Sequence, residues 1–183
     1  MTLVPVTTAE PILPLDDIKA HLRITQDDLD PVLIGLNEAA ADWLETYTGR
    51  PPRTRVYDLV LDAFPCFEIE LPRLPVTGIT AASFTYVDSG GTVTQVPSSV
   101  YTTDFESTPA RVHLAYSQSW PFTRCQPRAV RLRFTCGYAN MDSLPEPLRQ
   151  AMLFWLQAHL DGDTDQKLMS VAQTLAWPYR LFQ

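Results

Sequence analysis

The spacing of apolar residues changes twice along the chain, and this change constrains the fold more than any other feature of the sequence. Before about residue 50 and after about residue 138, apolar side chains recur every three or four residues, as in helices that bury one face. Over residues 57–63, 67–71 and 130–136 they alternate with polar ones, as in half-buried antiparallel strands. These periods predict an α+β fold in which both chain ends form a small helical bundle with an inserted antiparallel β-sandwich or barrel.

The same change of period divides the chain into domains. Residues 1–50 and 138–183 are predicted to form one helical domain, and residues 51–137 a β-rich insertion of about six or seven short strands. A chain of 183 residues is long enough to bury a core without metal ions or disulfides. Two short helices on each side of the insertion are expected to leave apolar surface uncovered, and such a domain often completes its core on a neighbouring chain.

Local signals indicate where the helices begin and end. Asp30 is a natural N-cap, Pro31 suits the first helical position and Gly49 suits a helix C-terminus. These signals predict a long helix between Asp30 and Gly49. In the second helical segment, Ser143-x-x-Glu146 has the pattern of a capping box.

Charge and motifs argue against several classes of function. The formal net charge is −7, which argues against a general binder of duplex DNA because such binding depends on neutralising phosphates. The chain shows neither a signal peptide nor an apolar run long enough to span a bilayer, so we expect a protein made in the cytoplasm with no membrane partner. Cys66, Cys125 and Cys136 form no C-x-x-C pair, and the common nucleotide-binding, hydrolase and zinc-protease motifs are missing. We therefore predict no catalytic residue, no cofactor and no metal.

Two alternative functions depend on residues that the fold would have to bring together. A hydrolase or lyase would draw on three residues of the insertion, His113, Asp104 and Cys125. A module that binds carbohydrate or protein would use a concave aromatic patch around Tyr86, Tyr101 and Tyr116.

Four arginines form the main basic cluster of the sequence: Arg124, Arg128, Arg131 and Arg133. Arg131 and Arg133 are two residues apart on a predicted strand, so both point to the same polar face. One interpretation is a patch for phosphate or an acidic protein surface. The other is a solvated face neutralised by neighbours such as Glu68 and Glu70. Because arginine outnumbers lysine 12 to 2 and its planar guanidinium suits interfaces, a protein contact is the better of the functional interpretations.

The closing segment, Trp177 to Gln183, is too apolar for a solvated terminus. It contains Trp, Tyr and Arg, the residue types that most often dominate the binding energy of protein interfaces. The segment is therefore expected either to dock on its own domain or to anchor in a partner.

Several short motifs follow one another along nearly the whole chain. The first are Leu15-Asp-Asp-Ile-Lys-Ala-His-Leu-Arg23 and Tyr47-Thr-Gly-Arg50. Further along come Ile69-Glu-Leu-Pro-Arg-Leu-Pro-Val76, Ser119-Trp-Pro121, Val130-Arg-Leu-Arg-Phe-Thr-Cys-Gly-Tyr138 and Leu175-Ala-Trp-Pro-Tyr-Arg180. In this set the chain resembles the head–tail connector, or adaptor, proteins of tailed bacteriophages. Ala139 stands where the family pattern has Gly, which bears on loop shape rather than on membership.

The resemblance implies a non-enzymatic component of the virion neck. Such proteins form a ring, commonly of about twelve copies, beneath the portal, where the ring extends the DNA channel and joins the head to the neck or tail. The implied partners are the chain itself, the portal protein, a neck or tail completion protein, and genomic DNA that passes without sequence-specific contact. On this basis we predict two contact sites. The four arginines would meet another subunit or the tail side, and the portal would dock on Leu175, Trp177, Tyr179, Arg180 and Phe182.

Overall fold

The computed structural model describes residues 1–6, 13–162 and 166–181. This part of the chain has an α+β fold with four α-helices and two antiparallel sheets, so the α+β part of the fold prediction is confirmed. The helices are α1 (Leu15–Leu22), α2 (Asp30–Thr48), α3 (Glu146–Asp161) and α4 (Lys167–Ala176). The strands are β1 (Thr2–Pro5), β2 (Arg55–Leu61), β3 (Glu68–Leu71), β4 (Val76–Ile79), β5 (Thr85–Val87), β6 (Val93–Gln95), β7 (Tyr101–Asp104), β8 (Ala110–Leu114) and β9 (Val130–Cys136).

The chain divides into two compact units. The helical unit comprises residues 9–54 and 138–183, and the β unit comprises residues 1–8 and 55–137. The N-terminus departs from the predicted boundaries, because β1 is a strand of the β unit rather than a lead into the helices. β1 pairs antiparallel with β2 and forms an edge of the sheet. Pro5 is tolerated at its end because an edge strand has one side without ladder hydrogen bonds.

The helical unit buries a core to which both ends of the chain contribute. Ile18 of α1, Leu44 of α2, Leu156 of α3 and Ala172 of α4 are all fully buried in it. The side chain of Asn37 is also buried, and its amide nitrogen donates a 2.9 Å hydrogen bond to the backbone oxygen of Leu13. That bond satisfies a polar group that would otherwise destabilise the core.

The ends of α2 and α3 only partly follow the local signals. Gly49 ends α2 with φ +75°, and its N–H donates to the Glu45 oxygen at 2.8 Å, as a helix C-terminus requires. The carboxylate of Asp30, however, does not cap α2 but lies 2.5 Å from Lys19 Nζ. The predicted capping box at Ser143 is wrong. Ser143 instead pairs reciprocally with Asn140 in the short 3₁₀ helix Met141–Ser143, which precedes α3.

The β unit contains a six-stranded and a three-stranded sheet. The larger runs in the order β1-β2-β9-β5-β6, with β4 also pairing with β9, and the smaller in the order β3-β8-β7. The long central strand β9 alternates as the sequence predicts, whereas β2 does not, because it is buried on both faces from Tyr57 to Val60. Leu59, Leu132 and Phe134 are fully buried, whereas Arg131 and Arg133 lie on the opposite face.

Candidate interaction surfaces

The arginine face lies on β9 and the loop before it. Arg133 forms a bidentate ion pair with the buried carboxylate of Asp58, with nitrogen–oxygen distances of 2.7 and 3.0 Å. Because β2 and β9 are antiparallel, Asp58 stands directly opposite Arg133. These hydrogen bonds raise the pKa of Arg133 above its ordinary value. Arg133 is therefore committed to the fold rather than available to a partner.

The other three arginines of this face are exposed. Arg131 approaches Asp58 only to 3.7 Å and is 55% exposed. Arg124 and Arg128 are exposed, and no carboxylate within the described residues forms an ion pair with either guanidinium. Glu68 and Glu70, the neutralising neighbours suggested by the sequence, belong to β3 and contact Arg111 of β8 instead. Arg124, Arg128 and Arg131 are therefore the members of the cluster that can contribute positive charge to a contact with a partner.

The three residues proposed for a hydrolase or lyase, His113, Asp104 and Cys125, do not form a catalytic site. His113 lies against Glu68, with 3.2 Å between Nδ1 and Oε2. Hydrogen bonds from Ser107 hold the pKa of Asp104 below its ordinary value, so this carboxylate is already satisfied. Cys125 is exposed, and no hydrogen bond in the described part of the chain joins it to either residue. The arrangement lacks the contact between nucleophile and base that catalysis of this kind needs.

The three tyrosines of the alternative binding patch differ in how far their rings are buried. Tyr101 is 9% exposed and packs edge-on against Phe84, with 5.1 Å between ring centroids. Tyr86 packs against Phe64 at 6.0 Å, and both half-buried rings belong to an aromatic cluster with Trp120. Tyr116 is 99% exposed. Tyr101 is thus buried, Tyr86 half-buried and Tyr116 fully exposed, and the three rings make no ring contact with one another in the described residues.

The closing segment docks on its own domain as far as residue 181. The Leu181 N–H donates to the Thr48 oxygen at 2.9 Å, and Arg50 Nε donates to the Tyr179 oxygen at 2.8 Å. Leu175 and Tyr179 pack against the helical core. Phe182, another predicted portal contact, lies outside the described residues.

Trp177 forms the exposed side of this docked segment, and the half-buried Arg180 lies beside it with its Nε donating to the Tyr47 oxygen at 3.2 Å. The Arg180 guanidinium lies 4.8 Å from the Tyr47 ring centroid and 4.9 Å from that of Trp177, a cation–π arrangement with both rings. Trp177 is nevertheless 52% exposed. Beside it is an open groove of about 290 Å³, lined by Tyr47, Ser170, Gln173, Thr174 and Trp177. A preformed aromatic and cationic surface of this kind suits a protein partner.

Gly49 makes the docking of Leu181 testable. A Cβ added to Gly49 would lie 2.8 Å from Leu181 Cδ1 and 3.2 Å from its Cβ, and Gly49 also has φ +75°. Gly162 has a similar φ of +68°, and no atom of the described residues beyond its chain neighbours lies within 4 Å of its Cβ position. We expect Gly162→Ala to lower the free energy of unfolding by about 1 kcal/mol from backbone strain, and Gly49→Ala by about 2 kcal/mol or more. Urea unfolding measures both, and equal losses would contradict the packing of Leu181 against Gly49.

One surface escaped the sequence analysis. The outer side of α2 exposes Val32 and Ile34, which are 49% and 42% accessible, beside the exposed Gly35 and Ala39. The signal was present in the sequence, because these residues lie off the buried stripe of a helix whose outer side would ordinarily be charged.

None of the helices that the structure describes has the length and apolar character needed to span a membrane. The described residues also contain no group of three or more His, Cys, Asp or Glu side chains placed to hold a metal ion.

The fold combines a helical unit and a β unit, and both expose side chains of types that are common at protein interfaces. The profile of the phage gp6-like head-tail connector protein family matches residues 13–102. The match covers 90 of the 183 residues and supports the predicted resemblance to head–tail connector proteins.

Solved structures share the fold over the whole chain. A chain from the neck of an empty gene transfer agent (GTA) particle, computed with C6 symmetry, is 24% identical with a TM-score of 0.81. A chain from the neck of the native GTA particle, computed with C12 symmetry, is 22% identical with a TM-score of 0.80. Each match covers 100% of this chain and 97% of the other. A comparison with curated protein sequences finds no match.

Proposed function

We propose that the chain is a neck component of a tailed phage or phage-like virion, where copies form a closed ring beneath the portal. The observation that carries the proposal is the full-length likeness to chains from GTA necks computed with C6 and C12 symmetry, and the match of residues 13–102 to the head-tail connector profile supports it. A ring of about twelve copies fits that symmetry. In this proposal the helical bundle built from both chain ends and the inserted β-sandwich or barrel are the two building blocks of each copy.

The ring would extend the DNA channel and join the head to a neck or tail completion protein. The charge of the chain supports a channel that DNA crosses without specific contact. The helical unit has 14 acidic and 7 basic residues and so carries the whole net charge of −7, while the seven acidic and seven basic residues of the β unit cancel. An acidic lining would repel phosphates instead of binding them.

Two surfaces are assigned to partners in this proposal. The portal side consists of Leu175 at the end of α4 and of Trp177, Tyr179, Arg180 and Phe182 in the closing segment. Trp177 is the most exposed of those that the structure describes. The arginine face meets a neighbouring subunit or the tail side through Arg124, Arg128 and Arg131. Arg133 supports that face from within through its contact with Asp58.

Sedimentation of the purified protein, alone and mixed with the portal protein of the same genome, tests the proposed function. We expect the mixture to shift to a complex that carries about one copy of the chain per portal subunit. Absence of association at several ionic strengths would contradict the portal as direct partner.

A further inference from the structure

The outer face of α2 exposes several apolar and small residues beside the two carboxylates Glu38 and Asp42. Val32, Ile34, Gly35 and Ala39 are all exposed there, and no atom lies within 4 Å of the Cβ position of Gly35. A glycine in an exposed helix interior costs about 1 kcal/mol relative to alanine, and nothing within the described chain packs against it. This face has the small and apolar residues that let a second surface approach closely.

Two exposed carboxylates accompany these residues on the outer face of α2, Glu38 and Asp42, and Asp42 already interacts within the chain. Glu38 follows Ile34 by one helical turn, so the two side chains are neighbours on the helix surface. Glu38 is exposed, and its carboxylate forms no hydrogen bond or ion pair with the described residues. A complementary surface would therefore combine apolar contacts with a cation.

The arginine face contains a groove with those properties. A cavity of about 260 Å³ beside the β5–β6 hairpin is lined by Thr85, Tyr86, Val87, Val93, Arg128, Ala129 and Arg131. Val93 is 68% exposed at its rim. The nearby carboxylates of Asp62 and Asp88 accept backbone N–H bonds from Arg128 and Thr92. The guanidinium of Arg128 is exposed, and that of Arg131 is 55% exposed with a long 3.7 Å contact to Asp58, so both can meet a further partner.

We propose that the outer face of α2 in one copy packs into the arginine groove of the next copy, with Glu38 facing Arg128 and Arg131. The proposal rests on the proposed ring and names its subunit contact. Two different surfaces that complement each other make a head-to-tail interface, which is the kind that closes a cyclic ring. Charge complementarity supports this occupant, because the helical unit holds all of the net negative charge and the groove holds exposed arginines.

The contact is tested by reversing the charge on each surface separately and then on both surfaces together. The variants are Glu38→Arg, the double variant Arg128→Glu with Arg131→Glu, and the combination of all three substitutions. Glu106→Arg is the matched control, since Glu106 is exposed in the β unit and undergoes the same change of charge. Ring formation is measured by sedimentation with and without the portal protein, after circular dichroism has shown that each variant is folded.

We expect each reversal to raise the protein concentration needed for ring formation about tenfold or more, and the combined variant to recover most of the loss. Glu106→Arg should behave like the unmodified chain. Reversals that weaken the ring without recovery in the combined variant would overturn the pairing of these two surfaces. Rings unaffected by every reversal would also overturn it, and would leave the α2 face to the portal or a tail protein while the proposed function stands. If the unmodified chain neither forms rings nor binds the portal protein, both proposals fail.

Discussion

Replacing Phe84 with alanine is expected to lower the free energy of unfolding by about 3–5 kcal/mol. Phe84 is fully buried and lies at the centre of the aromatic cluster of the β unit. Its ring centroid is 5.1 Å from that of Tyr101 and 6.2 Å from those of Phe64 and Trp120. The substitution removes these contacts and leaves a cavity that rigid sheet strands fill only in part. Urea unfolding followed by tryptophan fluorescence measures the loss, because Trp120 reports on the same cluster.

Tyr116 provides the control for this prediction. It is an aromatic residue of the same unit but is 99% exposed, so Tyr116→Ala should change the free energy of unfolding by no more than about 0.5 kcal/mol. A loss below about 1 kcal/mol for Phe84→Ala would mean that the cluster is not a core. The aromatic residues of the insertion would then again be candidates for ligand recognition.

The helical ends of the fold could be predicted because their signals are local. The bounds of α2 follow from Pro31, Gly49 and an apolar stripe that spans fewer than twenty residues, all within one element. Where two local signals compete, prediction fails. Ser143 matches a capping pattern with Glu146, but Asn140 three residues earlier satisfies the Ser143 N–H first. The pattern of residue types does not say which of these two caps forms.

Contacts between distant strands could not be predicted, because alternation gives the face of a side chain but not its partner. The sequence correctly places Arg133 on a polar face. The carboxylate that pairs with it, however, is that of Asp58, 75 residues away, rather than that of Glu68 or Glu70. The register of β2 against β9 decides this pairing. Register depends on the buried faces of both strands and on all the connections between them. The edge strand β1 was missed because four residues ending in proline show too little alternation to be recognised.

The closing segment shows why both sequence interpretations were reasonable. Leu175, Tyr179 and Leu181 dock on the helical unit, whereas Trp177 keeps half of its surface exposed next to an open groove. The end of the chain thus packs against its own helical unit on one side and leaves Trp177 accessible on the other. Deleting residues 176–183 would remove the buried Ala176 and the Arg50–Tyr179 contact, so such a truncation would disturb the fold as well as any partner contact.

The point variant Trp177→Ala separates these effects. We expect it to weaken binding to the portal protein by about 2 kcal/mol or more, roughly a 30-fold increase in Kd, because exposed Trp residues next to a groove are typical binding hot spots. The fold should be retained, since 52% of the Trp177 surface is exposed and the inward contacts of Tyr179 and Leu181 remain. Phe122→Ala is the matched control: Phe122 is an aromatic residue that is 92% exposed, in the β unit. Titration of the portal protein by calorimetry measures both variants, and an unchanged Kd for Trp177→Ala in a folded protein would assign the portal contact to another surface.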